Sequence, residues 1–412
     1  MIQYTRTILD NGLTVICHTD RSTPFVSVNI LYKVGARNEQ EDKTGFAHLF
    51  EHLMFGGSKH ISDYDRHVQL AGGDNNAYTT NDLTNYYITI PAENIETALW
   101  LESDRMGGLN LSQKALDIQK QVVIEEFKQR YLNKPYGDLW LKLRPLAYQI
   151  HPYRWPTIGI SPEHIEKATL QDVKEFFFRY YAPNNAIIAI SGNIETQRAL
   201  ELTKKWFGDI SPLYLPQIEI PEEPIQQTER RLILPDNDVP ADAIYKVFHM
   251  GGRNSANFYA CDIISDILSN GQSARLYVNL IKNRRLFSGL DAYVLGDLDP
   301  SLFVFSGKIS EGVAIEEAEQ AIEEEIEKFI ANPISEREVK KVIHKAEARI
   351  AYSEINYQNK ASNLAFFEFL GNLELINHET EQYSQIQVDY LRTTAQQIFQ
   401  KENCSTLYYL KK

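Results

Sequence analysis

Gly45-Phe46-Ala47-His48-Leu49-Phe50-Glu51-His52-Leu53-Met54-Phe55-Gly56-Gly57 is the stretch on which the reading of this chain turns. Its apolar residues recur at helical spacing. Thr44, just ahead, offers a capping hydroxyl, and Gly56-Gly57 offer a stop, so the segment predicts a short helix. His48 and His52 are four residues apart and share one face, a turn from each other. Two imidazoles so placed can grip one metal ion, and neutral nitrogen ligands favour Zn²⁺. Glu51 reaches the same face. A carboxylate beside a metal, but not bound to it, is suited to take a proton from an attacking water. The alternative is a pair of solvated helix histidines with a carboxylate neighbour. The apolar flanks argue against that, because burying three ionisable groups without a purpose is costly.

A catalytic zinc needs a third protein ligand. The predicted helix around Gln119-Lys120-Gln121-Val122-Val123-Ile124-Glu125-Glu126-Phe127 carries two candidates, and periodicity does not choose between Glu125 and Glu126.

Working outward, 412 residues exceed one ordinary domain. Hydrophobic residues at 43% and charged residues at 24% describe a globular chain, neither disordered nor collagenous. The net charge of −13 argues against a nucleic-acid or anionic-membrane surface. Three scattered cysteines, Cys17, Cys261 and Cys404, do not form a disulfide framework and fit a reducing compartment. No signal-peptide pattern and no run of about 18 apolar residues is present, so the expected location is cytoplasmic, with no membrane partner.

Residues 4–9 and 13–18 flank Asp10-Asn11-Gly12, a hairpin signal. Further strands are expected at 26–33, 85–90 and 186–191, with helices at 44–55, 61–71, 93–106, 112–131 and 170–181. Residues 211–229 hold four prolines and little helical period, which reads as a linker. The expected domains are 1–212, a linker 213–229, and 230–412. The two sides look alike. Val34-Gly35-Ala36-Arg37-Asn38 recurs as Met250-Gly251-Gly252-Arg253-Asn254, residues 47–57 match 261–271, and 173–188 match 391–406 with Asn185 against Asn403. A duplicated α+β domain is the reading, each copy a mostly antiparallel sheet covered by helices. In the second copy Asp262, Ser265 and Asp266 stand where His48, Glu51 and His52 stand in the first, so one metal per chain is expected.

HxxEH is the inverzincin order. Together with Leu9-Asp10-Asn11-Gly12-Leu13-Thr14-Val15, the segment Gly72-Gly73-Asp74-Asn75-Asn76-Ala77-Tyr78-Thr79, Asp82 and Thr84-Asn85-Tyr86-Tyr87, it resembles the M16 family of zinc peptidases over nearly the whole chain. That family includes pitrilysin, insulin-degrading enzyme and the β subunit of the mitochondrial processing peptidase, with its LuxS/MPP-like fold. The resemblance implies Zn²⁺ on His48, His52 and Glu126, with Glu51 as general base. Gln119 falls where the family has a supporting Glu. The resemblance also implies that Asn76, Ala77 and Thr79 lie on an edge strand to which a peptide substrate adds as a further strand. The activity implied is a zinc-dependent endopeptidase acting on peptides or unfolded polypeptides.

One departure bears on partnership. The family's oxyanion-binding Arg and Tyr, seven apart, fall here on Ile281 and Ser288, and nearby Arg284, Arg285 and Tyr293 do not restore the spacing. The chain therefore reads as the metal-bearing subunit of a dimer, whose partner is a homologue without the zinc motif that supplies Arg and Tyr. A homodimer is the alternative. A different class of function is a non-catalytic assembly subunit like the core subunits of respiratory complex III. A zinc-stabilised structural domain is disfavoured by the Glu inside HxxEH.

Overall fold

The run Phe25–Tyr32 becomes a strand buried on both faces, and the first half of the molecule is assembled around it. A computed structural model describes residues 1–215 and 218–412. Within it, β1 (Thr5–Ile8), β2 (Thr14–Thr19), β3 (Phe25–Tyr32), β4 (Asp74–Thr79), β5 (Thr84–Pro91) and β6 (Ala186–Gly192) form a sheet of order β1-β2-β6-β3-β5-β4. The β1–β2 hairpin turns at Gly12, whose φ of +84° suits a residue without Cβ. β2 and β6 run parallel and every other neighbouring pair is antiparallel.

The second half repeats this plan. β7 (Arg230–Asp236), β8 (Ala243–Met250), β9 (Phe287–Val294), β10 (Ser301–Ile309) and β11 (Cys404–Lys411) form a sheet of order β7-β11-β8-β10-β9. Its one parallel pair, β7–β11, answers to β2–β6. The match extends to detail. A helix (Leu170–Tyr180) and a 3₁₀ turn (Pro183–Asn185) lead into β6, and Val388–Ile398 and Lys401–Asn403 lead likewise into β11. The Asn185 side chain donates to the carbonyl five residues back, Tyr180, and Asn403 does the same to Ile398, both at 2.8 Å. The duplication expected from the shared asparagines is thus present in topology and in turn chemistry.

The chain forms two compact units that differ from the contiguous halves 1–212 and 230–412. One comprises Met1–Gln129, Trp155–Ile220 and Ala351–Asn377, and the other Arg130–Arg154, Pro221–Ile350 and His378–Lys412. The cause is a reciprocal exchange of helices. Tyr357–Phe369 packs on β2, β3 and β6, and Leu139–Ala147 packs on β7, β8 and β11. Buried Ala361, Leu364, Ala365 and Phe367 face the first sheet, where Ser362 donates to Asn29 and Lys360 pairs with Asp20. The expected linker 213–229 lies partly outside the described residues. In its described part, Glu223 accepts the N–H groups of Gln149, Ile150 and His151, and Gln226 donates to the Cys404 carbonyl, so that stretch is tied to the second unit. Among the described residues no helix is long and apolar enough to cross a membrane.

Candidate metal centre

The HxxEH segment forms a helix over Phe46–Leu53 that buries Phe46, Ala47, Leu49, Phe50 and Leu53. Its N-terminus is not capped as expected. Gly45 takes the capping position with φ +88°, and this left-handed turn carries Thr44 away from the helix. Thr44 Oγ1 instead receives the Ile160 N–H at 3.0 Å and shares a hydrogen bond with His164 Nδ1. The cap comes from Glu39, whose carboxylate accepts the N–H groups of Gly45 at 2.8 Å and Ala47 at 2.7 Å. Burial pushes the Glu39 carboxyl well above its ordinary range, opposed by these N–H groups. Carboxylates are favoured at helix N-termini, and this one fixes the start of the HxxEH helix. At the other end the chain leaves through Gly56 and Gly57.

His48 and His52 stand edge to face with ring centroids 4.9 Å apart. The helix Gln113–Phe127, capped by Ser112, packs against them and brings in Glu126. Glu126 Oε2 lies 3.3 Å from His52 Nε2 and 3.7 Å from His48 Nε2. The donor atoms of this trio all fall within 4.8 Å of one another, and no other such trio of His, Cys, Asp or Glu occurs among the described residues. Two imidazoles and a carboxylate converging at this spacing fit Zn²⁺ by ligand type and number. Glu125 is largely exposed and pairs with Lys128 at 2.6 Å. Gln119 lies two turns before Glu126, half-buried, with its amide beside Gly56.

β4 is the edge of its sheet, paired with β5 in the register Asn76↔Tyr87, Ala77↔Tyr86 and Thr79↔Thr84. The Asn76 side chain accepts the Ala77 N–H at 2.8 Å. The Thr79 hydroxyl donates to Glu51 Oε2 at 2.6 Å. Asn76, Ala77 and Thr79 thus share the edge strand that runs beside the HxxEH helix, with Thr79 reaching Glu51.

Beneath the helix lies a charged group that the sequence reading missed. Arg105 is 1% exposed, pairs with Glu102 at 2.5 Å, and stacks over the rings of Tyr64 and Tyr86. The Tyr86 hydroxyl in turn reaches the Phe50 carbonyl at 3.5 Å. The i,i+3 spacing of Glu102 and Arg105 was the available signal, but such pairs are ordinarily solvated.

In the second unit the corresponding helix is Phe258–Ser269. Asp262 accepts the Tyr383 hydroxyl at 2.7 Å and faces Arg349 at 3.5 Å. Ser265 bonds back to the Asp262 carbonyl, and Asp266 accepts from Asn270. Ile281 packs against that unit's apolar core, and Ser288 donates to the Lys308 carbonyl. Arg284 pairs with Glu324 at 2.7 Å, and burial first of all pushes the Tyr293 phenol up to about 12.

Comparison with known proteins agrees with this layout. Residues 14–158 match the family model Insulinase (Peptidase family M16), and residues 167–346 match Peptidase M16 inactive domain. The zinc protease PqqE of Helicobacter pylori is 30% identical over 408 residues, covering 98% of this chain and 91% of that protein. The crystal structure of a protease from Helicobacter pylori superposes with a TM-score of 0.94 at 29% identity, covering 99% of this chain and all of that one. Subunit 1 of the mitochondrial cytochrome b-c1 complex of Bos taurus is 28% identical over 209 residues, 50% of this chain and 43% of that subunit. With its duplicated sheets, its HxxEH helix and relatives matched end to end, the chain belongs to the M16 family of peptidases.

Proposed function

We propose that the chain is a zinc-dependent endopeptidase. The observation that carries this reading is the convergence of His48, His52 and Glu126, with Glu51 held beside them by Thr79. His48, His52 and Glu126 would hold the metal. When bound, Zn²⁺ supplies Lewis acidity toward the peptide carbonyl and lowers the pKa of water at the site. Glu51 takes the proton that the attacking water gives up and returns it to the leaving amine. The substrate, a peptide or an unfolded polypeptide, adds to β4 as an extended strand, and Asn76 and Ala77 lie where its backbone would pair. Gln119 steadies the Glu126 helix next to Gly56.

Oxyanion binding needs donors that this chain does not offer at residues 281 and 288. We assign that task to a partner, a homologue without the zinc motif that contributes Arg and Tyr. Three buried free thiols support a reducing, cytoplasmic setting. The similarity to a cytochrome b-c1 subunit favours a second reading, a non-catalytic assembly subunit.

The deciding experiment measures zinc content and hydrolysis of unstructured peptides, for the chain alone and co-expressed with its neighbouring gene product. Zinc near one per chain with turnover supports the peptidase. Protein that stays metal-free after zinc reconstitution sinks it. Turnover of about 1 s⁻¹ or more from a strict homodimer overturns the heterodimer.

A further inference from the structure

The family resemblance groups Thr79 with Asn76 and Ala77 as a peptide-binding trio, yet the Thr79 side chain is committed elsewhere. Its hydroxyl donates to Glu51 Oε2 at 2.6 Å. The donor is fixed in place. A β-branched residue on a strand has a stiff χ1. Thr79 is paired with Thr84, which is itself anchored through its hydroxyl to the Val34 carbonyl at 2.8 Å. The turn that follows is closed by Thr80, whose N–H reaches the Leu83 carbonyl at 2.8 Å and whose Oγ1 receives the N–H groups of Asp82 and Leu83.

We propose that Thr79 is a positioning residue for the general base. It holds one carboxylate oxygen of Glu51 in a set orientation, and it does so from the strand to which the peptide adds. This inference rests on the peptidase reading. A contact made to the base, and not to the peptide, affects the chemical step without affecting peptide affinity.

Thr79→Val keeps shape and strand preference but removes the donor. Thr79→Ser keeps the donor. In the zinc-loaded full chain, with its companion where one is required, Thr79→Val should lower kcat about 10- to 100-fold. KM for an unstructured peptide and zinc stoichiometry should stay at wild-type values, and Thr79→Ser should recover most of kcat. A wild-type kcat in Thr79→Val, or a raised KM with kcat intact, overturns the proposal. Crystal structures of the zinc-loaded wild type and Thr79→Val give a readout free of turnover. The Glu51 carboxylate should rotate in the variant while His48, His52 and Glu126 stay in place, and an unmoved carboxylate overturns the proposal. A wild type that hydrolyses nothing defeats the peptidase reading, and the proposal with it, whereas an active wild type with an unmoved Glu51 in the variant overturns the positioning role alone.

Discussion

The helices Phe46–Leu53 and Phe258–Ser269 hold equivalent places in two sheets of matching strand order, each packed in its own unit, and they solve the same charge problem differently. The first presents His48 and His52, and the second presents Asp262 and Asp266. Each is met by a second helix whose start is marked by a serine cap. Ser112 accepts the Ala115 N–H and Ser335 accepts the Glu338 N–H, both at 3.2 Å. Counting from those caps, Glu126 and Arg349 stand at the same position, since 126 − 112 and 349 − 335 are both 14. The alignment also places buried Leu116 against Val339 and buried Val123 against Ala346. Where the first unit gathers two imidazoles and a carboxylate close enough to hold a cation, the second gathers two carboxylates and brings its own cation, the Arg349 guanidinium. Tyr383 completes that second set, its phenol pushed well up by burial and by the Asp262 charge. Losing a metal motif therefore need not leave bare acids behind, because a buried charge demands a partner of some kind.

The comparison can be broken most sharply at Glu51, whose counterpart is Ser265. Glu51→Gln should retain about one zinc per chain while peptide hydrolysis falls about 10²–10⁴-fold. Retained turnover, or zinc lost with it, would contradict the division of labour. Next in size is metal content. His48→Ala and Glu126→Gln should bind well under one zinc, while Asp262→Ala and Asp266→Ala leave the wild-type content, as read by elemental analysis after dialysis.

A smaller effect is expected from Arg349→Ala, about 1 kcal/mol of stability at neutral pH, since the guanidinium is largely exposed. Its contribution requires an ionised partner, so the deficit should be present at neutral pH and fade in acid, where Asp266, whose carboxyl is raised, protonates. Urea melts at neutral and acidic pH test this, and a deficit that grows in acid would reject the ion-pair account. The smallest change concerns Asp266, whose carboxyl is raised by burial first and by Asp262, against Asn270 and Arg349. A raised carboxyl favours folding below its unfolded pKa, and that advantage is lost as pH rises through the folded value. Asp266→Asn should therefore be more stable than wild type at neutral pH by about 0.5 kcal/mol or less after screening, and equal to it in acid. A variant less stable at neutral pH would show that the carboxylate is favourably held.

What the sequence disclosed, and what it withheld, follows from the range of the interactions involved. The His48–His52 spacing is local, as is the Asn11-Gly12 turn, and both were readable. So was the duplication, because Asn185 and Asn403 each serve a bond to a carbonyl only five residues away. Glu125 and Glu126 differ by one helical step, and only the packing of one helix on another separates them. Thr44 looked like the cap because its hydroxyl is of the right type. The left-handed Gly45 redirected it, and Glu39 does the work from further upstream. The Thr79–Glu51 bond joins residues 28 apart on different elements and left no local trace.

The exchanged helices bear on how the molecule is made. Ribosomes deliver a chain N-terminus first, at about 5–20 residues per second. All six strands of the first sheet have been synthesised once Gly192 is added, yet the helix that covers β2, β3 and β6 is not finished until Phe369. For the intervening synthesis, the Asn29 face of β3 has no Ser362 and Asp20 has no Lys360. The half that carries the HxxEH helix is thus translated early but closed late, a window in which a chaperone or a sticky neighbour would find the open sheet.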